Sequence, residues 1–176
     1  MYSFEDFDIA QLETVDAKSL YQLMRLNYDQ FRTYLPVTTS SNESLSASEA
    51  YIKRKTKENA LQTSLTLALK ERSTGEVAGL IILKNIDHSK KQGEFAYCIG
   101  EEFWGRGWMS KTVTQMSKHA LDNFGIKTFQ IITHKTNIAS CRVAVKCGFV
   151  WKKTLKNEFT PPNGRSLDME LYELYL

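Results

Sequence analysis

Phe103-Trp104-Gly105-Arg106-Gly107-Trp108-Met109-Ser110 is a glycine-rich aromatic stretch set between two patterned segments. Upstream, 94–99 reads as a strand. Downstream, Val113, Met116, Ala120, Leu121 and Phe124 share one helical face until Gly125 stops the helix. Strand, glycine turn and helix start together make an anion site. The glycines allow successive N–H groups to point inward, and the helix N-terminus adds partial positive charge. Arg106 and Lys111 can supplement it. The spacing fits neither GxGxxG nor GxxxxGK[ST], which turns the reading away from dinucleotides and nucleoside triphosphates. A plain left-handed turn is the other reading of the stretch taken alone.

Further out, a buried strand is expected at 128–133. Asn137-Ile138-Ala139-Ser140-Cys141 then opens a second helix, with Asn137 placed as its cap, and Gly148-Phe149 closes it. Taken singly, Asn137 is a cap, Ser140 a first-turn residue and Phe149 a core aromatic. Towards the N-terminus, 64–70 places Leu65, Leu67 and Leu69 on one side, 73–76 is a tight turn, 77–83 a buried strand and 85–92 a polar turn. A first strand is expected at 9–14, followed by a helix capped by Asp16 with Leu20, Leu23, Met24 and Asn27 on one face. A short helical turn is expected to stop at Pro36, 37–45 reads as a loop, and Ser46 or Ser48 caps a helix to about 59. Strands at 149–155 and 167–174 end the chain. This order predicts an α+β fold, an α/β sandwich with a mixed sheet of about seven strands and about four helices, in a single domain over 1–176.

Composition narrows the function. The chain has 176 residues, of which 42% are hydrophobic and 24% charged, so it can bury a core without staples. Twenty-three basic against 20 acidic residues leave +3, too little for nucleic acid or an anionic membrane as default partner. Cys98, Cys141 and Cys147 show neither a CxxC pair nor finger spacing, so no metal is expected and a reducing, cytoplasmic setting fits. The N-terminus carries acids where a signal peptide needs a basic start, and 77–83 is far too short to span a bilayer.

The ordered set over 93–149 (strand, glycine loop, helix, strand, Asn137-x-x-Ser140, Lys146-x-Gly148-Phe149) resembles the GNAT acetyltransferase superfamily, and within it the RimJ/RimL-type protein N-acetyltransferases. That family's phosphate loop is Q/R-x-x-G-x-G/A. Here Trp104 stands at the Gln/Arg position, Gly107 at the central glycine and Met109 at the Gly/Ala position. The resemblance implies acetyl-CoA as co-substrate. Its phosphates would lie on the backbone of Trp104, Gly105, Arg106, Gly107, Trp108, Met109 and Ser110, and its pantetheine arm would lie against Tyr97, Cys98 and Ile99. It also implies two central parallel strands, 94–99 and 128–133, that splay to admit the cofactor. Asn137 would reach the pantetheine arm and Ser140 would sit near the sulfur.

By the same resemblance the amine attacks the thioester directly. Glu94 is the candidate base, through a water, beside the plainer role of a solvent-facing strand glutamate. Ser140 would protonate the departing thiolate, and a backbone N–H at 97–99 would hold the oxyanion. His134, at a strand end, is a weaker base candidate; His88 lies in a turn and His119 in mid-helix. Cys98 has no evident partner histidine, and Glu101 and Glu102 read as solvated loop acids. Tyr28, Phe31, Tyr34 and Leu35 either shape the acceptor pocket or pack the core. The expected acceptor is a protein N-terminal α-amine, such as that of a ribosomal protein; a small-molecule amine and a non-catalytic acyl-CoA-binding module are the alternatives. The state expected is monomer or homodimer, and loops 37–45 and 158–165 would choose the acceptor.

Overall fold

The computed structural model describes residues 2–161 and 164–176. Pro162 and Asn163 lie outside them, and with them part of loop 158–165, as does Met1. In chain order the elements are β1 (Tyr2–Ser3), β2 (Phe7–Gln11), a 3-10 turn (Thr14–Asp16), α1 (Ala17–Leu26), α2 (Tyr28–Tyr34), α3 (Pro36–Ser40) and α4 (Leu45–Ala60). Then come β3 (Leu65–Glu71), β4 (Val77–Asp87), β5 (Gln92–Ile99), a 3-10 turn (Glu101–Phe103), α5 (Trp108–Phe124), β6 (Thr128–Thr133), α6 (Ile138–Lys146), β7 (Val150–Phe159) and β8 (Leu167–Tyr175). The sheet order is β1-β2-β3-β4-β5-β6-β8-β7. It is mixed: β5 and β6 run parallel, while β1/β2, β2/β3, β6/β8 and β7/β8 are antiparallel. Contacts divide the chain into two compact units. One runs to Ile82 and takes in Tyr97–Trp108; the other comprises Leu83–Ala96 and Met109–Leu176.

In the first unit, Leu20, Leu23 and Met24 are buried on one face of α1 as their spacing requires, packed with Phe31, Ile52 and Leu80. Asp16 precedes α1 without capping it through its side chain. Its carboxylate instead accepts from the Glu13 N–H at 2.7 Å and pairs with Lys70 at 2.7 Å, because the 3-10 turn folds the chain back there. Pro36 begins a helix rather than ending one, since a first-turn residue needs no N–H partner. The cap of α4 is Ser44, whose Oγ accepts from the Ala47 N–H at 3.1 Å. Ser48 is buried and donates to Asn42 Oδ1 (2.8 Å), and Asn42 donates to the Thr38 carbonyl (2.8 Å). The segment 37–45 is thus tied down by α3 and these bonds. In β3, Thr66 and Ala68 are as buried as the leucines they alternate with, so both faces are covered. A Cβ on Gly79 would stand 2.5 Å from the Cys98 carbonyl oxygen, so the glycine lets β4 approach the end of β5.

In the second unit, β4 continues to Asp87, beyond the expected end at 83, with Asn85 at φ 51°. Phe95 stacks on Phe129 at 5.4 Å, and Phe129, Ile131 and Thr133 are the buried face of β6. Gly125 (φ 66°) ends α5 by donating to the Leu121 carbonyl at 3.1 Å. Parallel pairing runs from Gln92↔Thr128 to Phe95↔Ile131, and β5 then continues to Ile99. Among the described residues there are eight strands and six α-helices. The additions to the expected count are β1, held by two residue pairs with β2, and the short helices α2 and α3.

Candidate active site

The glycine loop is built on backbone conformation. Gly105 (φ 76°) and Gly107 (φ 74°) are both left-handed, which costs other residues about 1–2 kcal/mol each. Nothing stands within 4 Å of a Cβ built on Gly105. The side chains of the loop are turned to its own support. Trp104 Nε1 donates to the Ile99 carbonyl (3.1 Å), tying the loop to the strand end. Arg106 donates to the Glu102 carbonyl (3.0 Å), and its guanidinium carbon lies 5.2 Å from the Phe103 ring centroid and 5.6 Å from that of Trp108. Trp108 is 1% exposed and stacks on Phe7 and Phe103. Backbone N–H groups at a helix start are therefore what this loop can offer an anion.

Cys98 is buried among Leu80, Tyr51 and their neighbours, and burial pushes its thiol up to about 12. A thiolate there is scarce at neutral pH, which rules against a nucleophilic role. Tyr97 and Ile99 are half-buried. Glu101 and Glu102 are exposed. Phe31 is buried, Leu35 packs against the core beneath α1, and Tyr28 stays largely exposed.

The second unit holds the remaining site residues. Asn137 caps α6: its Oδ1 accepts from the Ser140 N–H at 3.2 Å. Met109 and Ser110 are buried in the first turn of α5, and Cys147 Sγ donates to the Ser110 carbonyl at 3.3 Å. Burial pushes the Cys147 thiol up. Cys141 Sγ donates to the His134 carbonyl at 4.0 Å. His134 Nδ1 is engaged with Thr136 Oγ1 at 2.7 Å, His119 sits with Asn123 in mid-helix, and His88 is exposed in its turn. Glu94 is 9% exposed rather than solvent-facing. Its Oε1 lies 2.8 Å from Lys84 Nζ, and its Oε2 accepts from Asn85 Nδ2 at 2.7 Å.

Two side-chain pairings carry no signal in the linear sequence. Lys84 and Asn85 reach Glu94 because β4 and β5 flank a turn at 88–91, a symmetry visible once β4 is extended past 83. Tyr172 on β8 interacts with Cys141, beside Ser140; burial, then that interaction, raise its pKa. No local pattern announces this pairing. A cavity of about 740 Å³ lies elsewhere, between residues 11–14 and Ile52, Lys53 and Thr56 of α4.

A family model described as an acetyltransferase (GNAT) domain matches residues 8–150. The chain belongs to the GNAT acetyltransferase family. Over 106 residues it is 24% identical to the uncharacterized N-acetyltransferase YoaA of Bacillus subtilis (strain 168), covering 60% of this GNAT chain and 59% of that protein. The match thus spans less than two thirds of that relative. The fold matches that of the microcin C7 self-immunity acetyltransferase MccE, solved with acetyl-CoA and AMP (TM-score 0.88, 23% identity, 98% of this chain and 94% of that one). It also matches RimL, a ribosomal L7/L12 alpha-N-protein acetyltransferase solved with coenzyme A (TM-score 0.90, 18% identity, 98% and 96%).

Proposed function

We propose that this GNAT chain acts as one domain that transfers the acetyl group of acetyl-CoA to a primary amine, by preference the N-terminal α-amine of a protein. The observation that carries the reading is the left-handed pair Gly105 and Gly107 directly before the first turn of the 17-residue α5. That is the geometry in which backbone N–H groups meet a pyrophosphate. Fold neighbours that include RimL support the RimJ/RimL-type branch. By the family resemblance, N–H groups from Gly105 to Ser110 would serve the phosphates, the backbone of 97–99 the pantetheine amides, and the Nδ2 side of the Asn137 amide a pantetheine carbonyl. The Oδ1 of that amide is already given to α6.

Bound acetyl-CoA supplies an activated thioester. The amine nitrogen forms the C–N bond while the C–S bond breaks. The amine proton passes through a water to Glu94, and Ser140 Oγ–H gives a proton to the departing sulfur while taking one up from solvent. About a tenth of an α-amine (pKa ~7.7–8.0) is neutral at pH 7, against well under a thousandth of a lysine (pKa ~10.4), so an α-amine asks less of the base. Three free thiols suit a reducing compartment, and the cytoplasm is the setting we assign. Calorimetry with acetyl-CoA, followed by thiol release over N-terminal peptides, polyamines and amino acids, tests the reading. Absence of coenzyme A binding overturns it.

A further inference from the structure

Glu94 does not stand alone. It is nearly buried, and both carboxylate oxygens are engaged: Oε1 by Lys84 Nζ at 2.8 Å and Oε2 by Asn85 Nδ2 at 2.7 Å. Asn85 holds its place in a left-handed backbone conformation (φ 51°), which asparagine tolerates better than most residues. On the β6 side Gln130 stands directly opposite Glu94 in the register, but its amide is committed to Gln92 (3.1 Å) and Glu173 (2.7 Å). The charge partner of Glu94 is therefore Lys84, whose side chain is 43% exposed.

We infer that Lys84 is a positioning and selectivity residue paired with Glu94, so that the enzyme takes α-amines, which keep a sizeable neutral fraction, in preference to polyamines, which are protonated almost throughout. This rests on the reading of Glu94 as base. A lone buried carboxylate attracts any ammonium that comes near it. Paired with Lys84, it forms a neutral couple and gives a cation no such reward, while the Lys84 ammonium repels it. The carboxylate still keeps lone pairs through which a water can pass the proton released as the C–N bond forms and the C–S bond breaks. An amine that arrives uncharged loses nothing to Lys84. A protonated polyamine meets a like charge at the position where its nitrogen must be deprotonated.

The test compares a lysine-free N-terminal peptide with spermidine, both with acetyl-CoA, in wild type, Lys84→Met, Lys84→Arg, Glu94→Gln and the double variant Glu94→Gln with Lys84→Met. In Lys84→Met the peptide-to-spermidine ratio of kcat/KM is expected to fall roughly tenfold, mainly through a lower KM for spermidine. Lys84→Arg is expected to restore the ratio. On the Glu94→Gln background, where the Lys84 ammonium is no longer neutralised, Lys84→Met is expected to lower the ratio again, since the ammonium repels a cation with or without its partner. Should Lys84→Met melt early, Lys84→Gln replaces it. A ratio unchanged by removal of the ammonium overturns the inference. Wild-type turnover in Glu94→Gln would instead overturn the base reading itself.

Discussion

The junctions where β5 leads into α5 and β6 leads into α6 are built from different materials. At the start of α5 the backbone does the work: Gly105 and Gly107 are left-handed, Trp108 and Met109 are buried, and Arg106 folds back on Phe103. At the start of α6 side chains do it: Asn137 Oδ1 holds the Ser140 N–H, and Cys141 beside it meets Tyr172. A backbone site tolerates many side chains, whereas a side-chain site tolerates few. That is why a loop with Trp104 and Met109 at positions where the family pattern has Gln/Arg and Gly/Ala can still have the geometry of a phosphate cradle. The comparison fails if side-chain changes hurt the first junction as much as the second.

The largest effect is expected from Ser140→Ala. A well-placed proton donor contributes on the order of 100-fold or more, so kcat should drop by about that factor with little change in KM for acetyl-CoA. Unchanged kcat would reduce Ser140 to a first-turn residue. Next comes Gly107→Val, which forces a β-branched residue into φ 74°. Strain of about 1–2 kcal/mol, and the displaced N–H groups, should weaken coenzyme A binding roughly tenfold by calorimetry. Retained affinity there would show that the cradle does not depend on the left-handed pair.

Both junctions were legible in the sequence because their signals are local: a glycine pair before an amphipathic helix, and an asparagine three residues before a serine. The first unit carries ten basic and thirteen acidic residues and the second thirteen and seven, so the chain's +3 is a −3 and a +6 together. Composition alone could not show that division. The pairing of Glu94 with Lys84 and Asn85 was hidden because β4 was expected to end at 83, where the apolar run stops. The strand goes on through polar residues, carried by its hairpin with β5. Pro36 begins α3 where the sequence pattern predicts a stop, because proline marks a boundary without saying which side the helix lies on. Tyr172 and Cys141 are 31 positions apart, and only the β8 register and α6 bring them together.

A smaller effect should follow from Asn137→Ala. Loss of an N-cap costs about 1 kcal/mol, which lowers the melting temperature of a chain this size by ~2–4 °C. If Asn137 also meets the pantetheine arm, coenzyme A binding should weaken as well, by roughly fivefold for one hydrogen bond. A lower melting temperature with full affinity would leave Asn137 as a cap alone.

The smallest effect is expected in the glycine loop itself, from Trp104→Phe. The indole is 46% exposed, and its Nε1 makes the 3.1 Å bond to the Ile99 carbonyl. Phenylalanine keeps most of the apolar contact and loses that bond, at a cost of about 1 kcal/mol or less given its exposure. The backbone conformation belongs to Gly105 and Gly107, which the substitution does not touch. Coenzyme A affinity should therefore stay within about twofold of wild type, with kcat equally close. A tenfold loss would mean that the indole clamp, and not the glycine pair, sets the loop. The first junction would then be a side-chain site like the second, and the tolerance inferred for Trp104 and Met109 would have no basis.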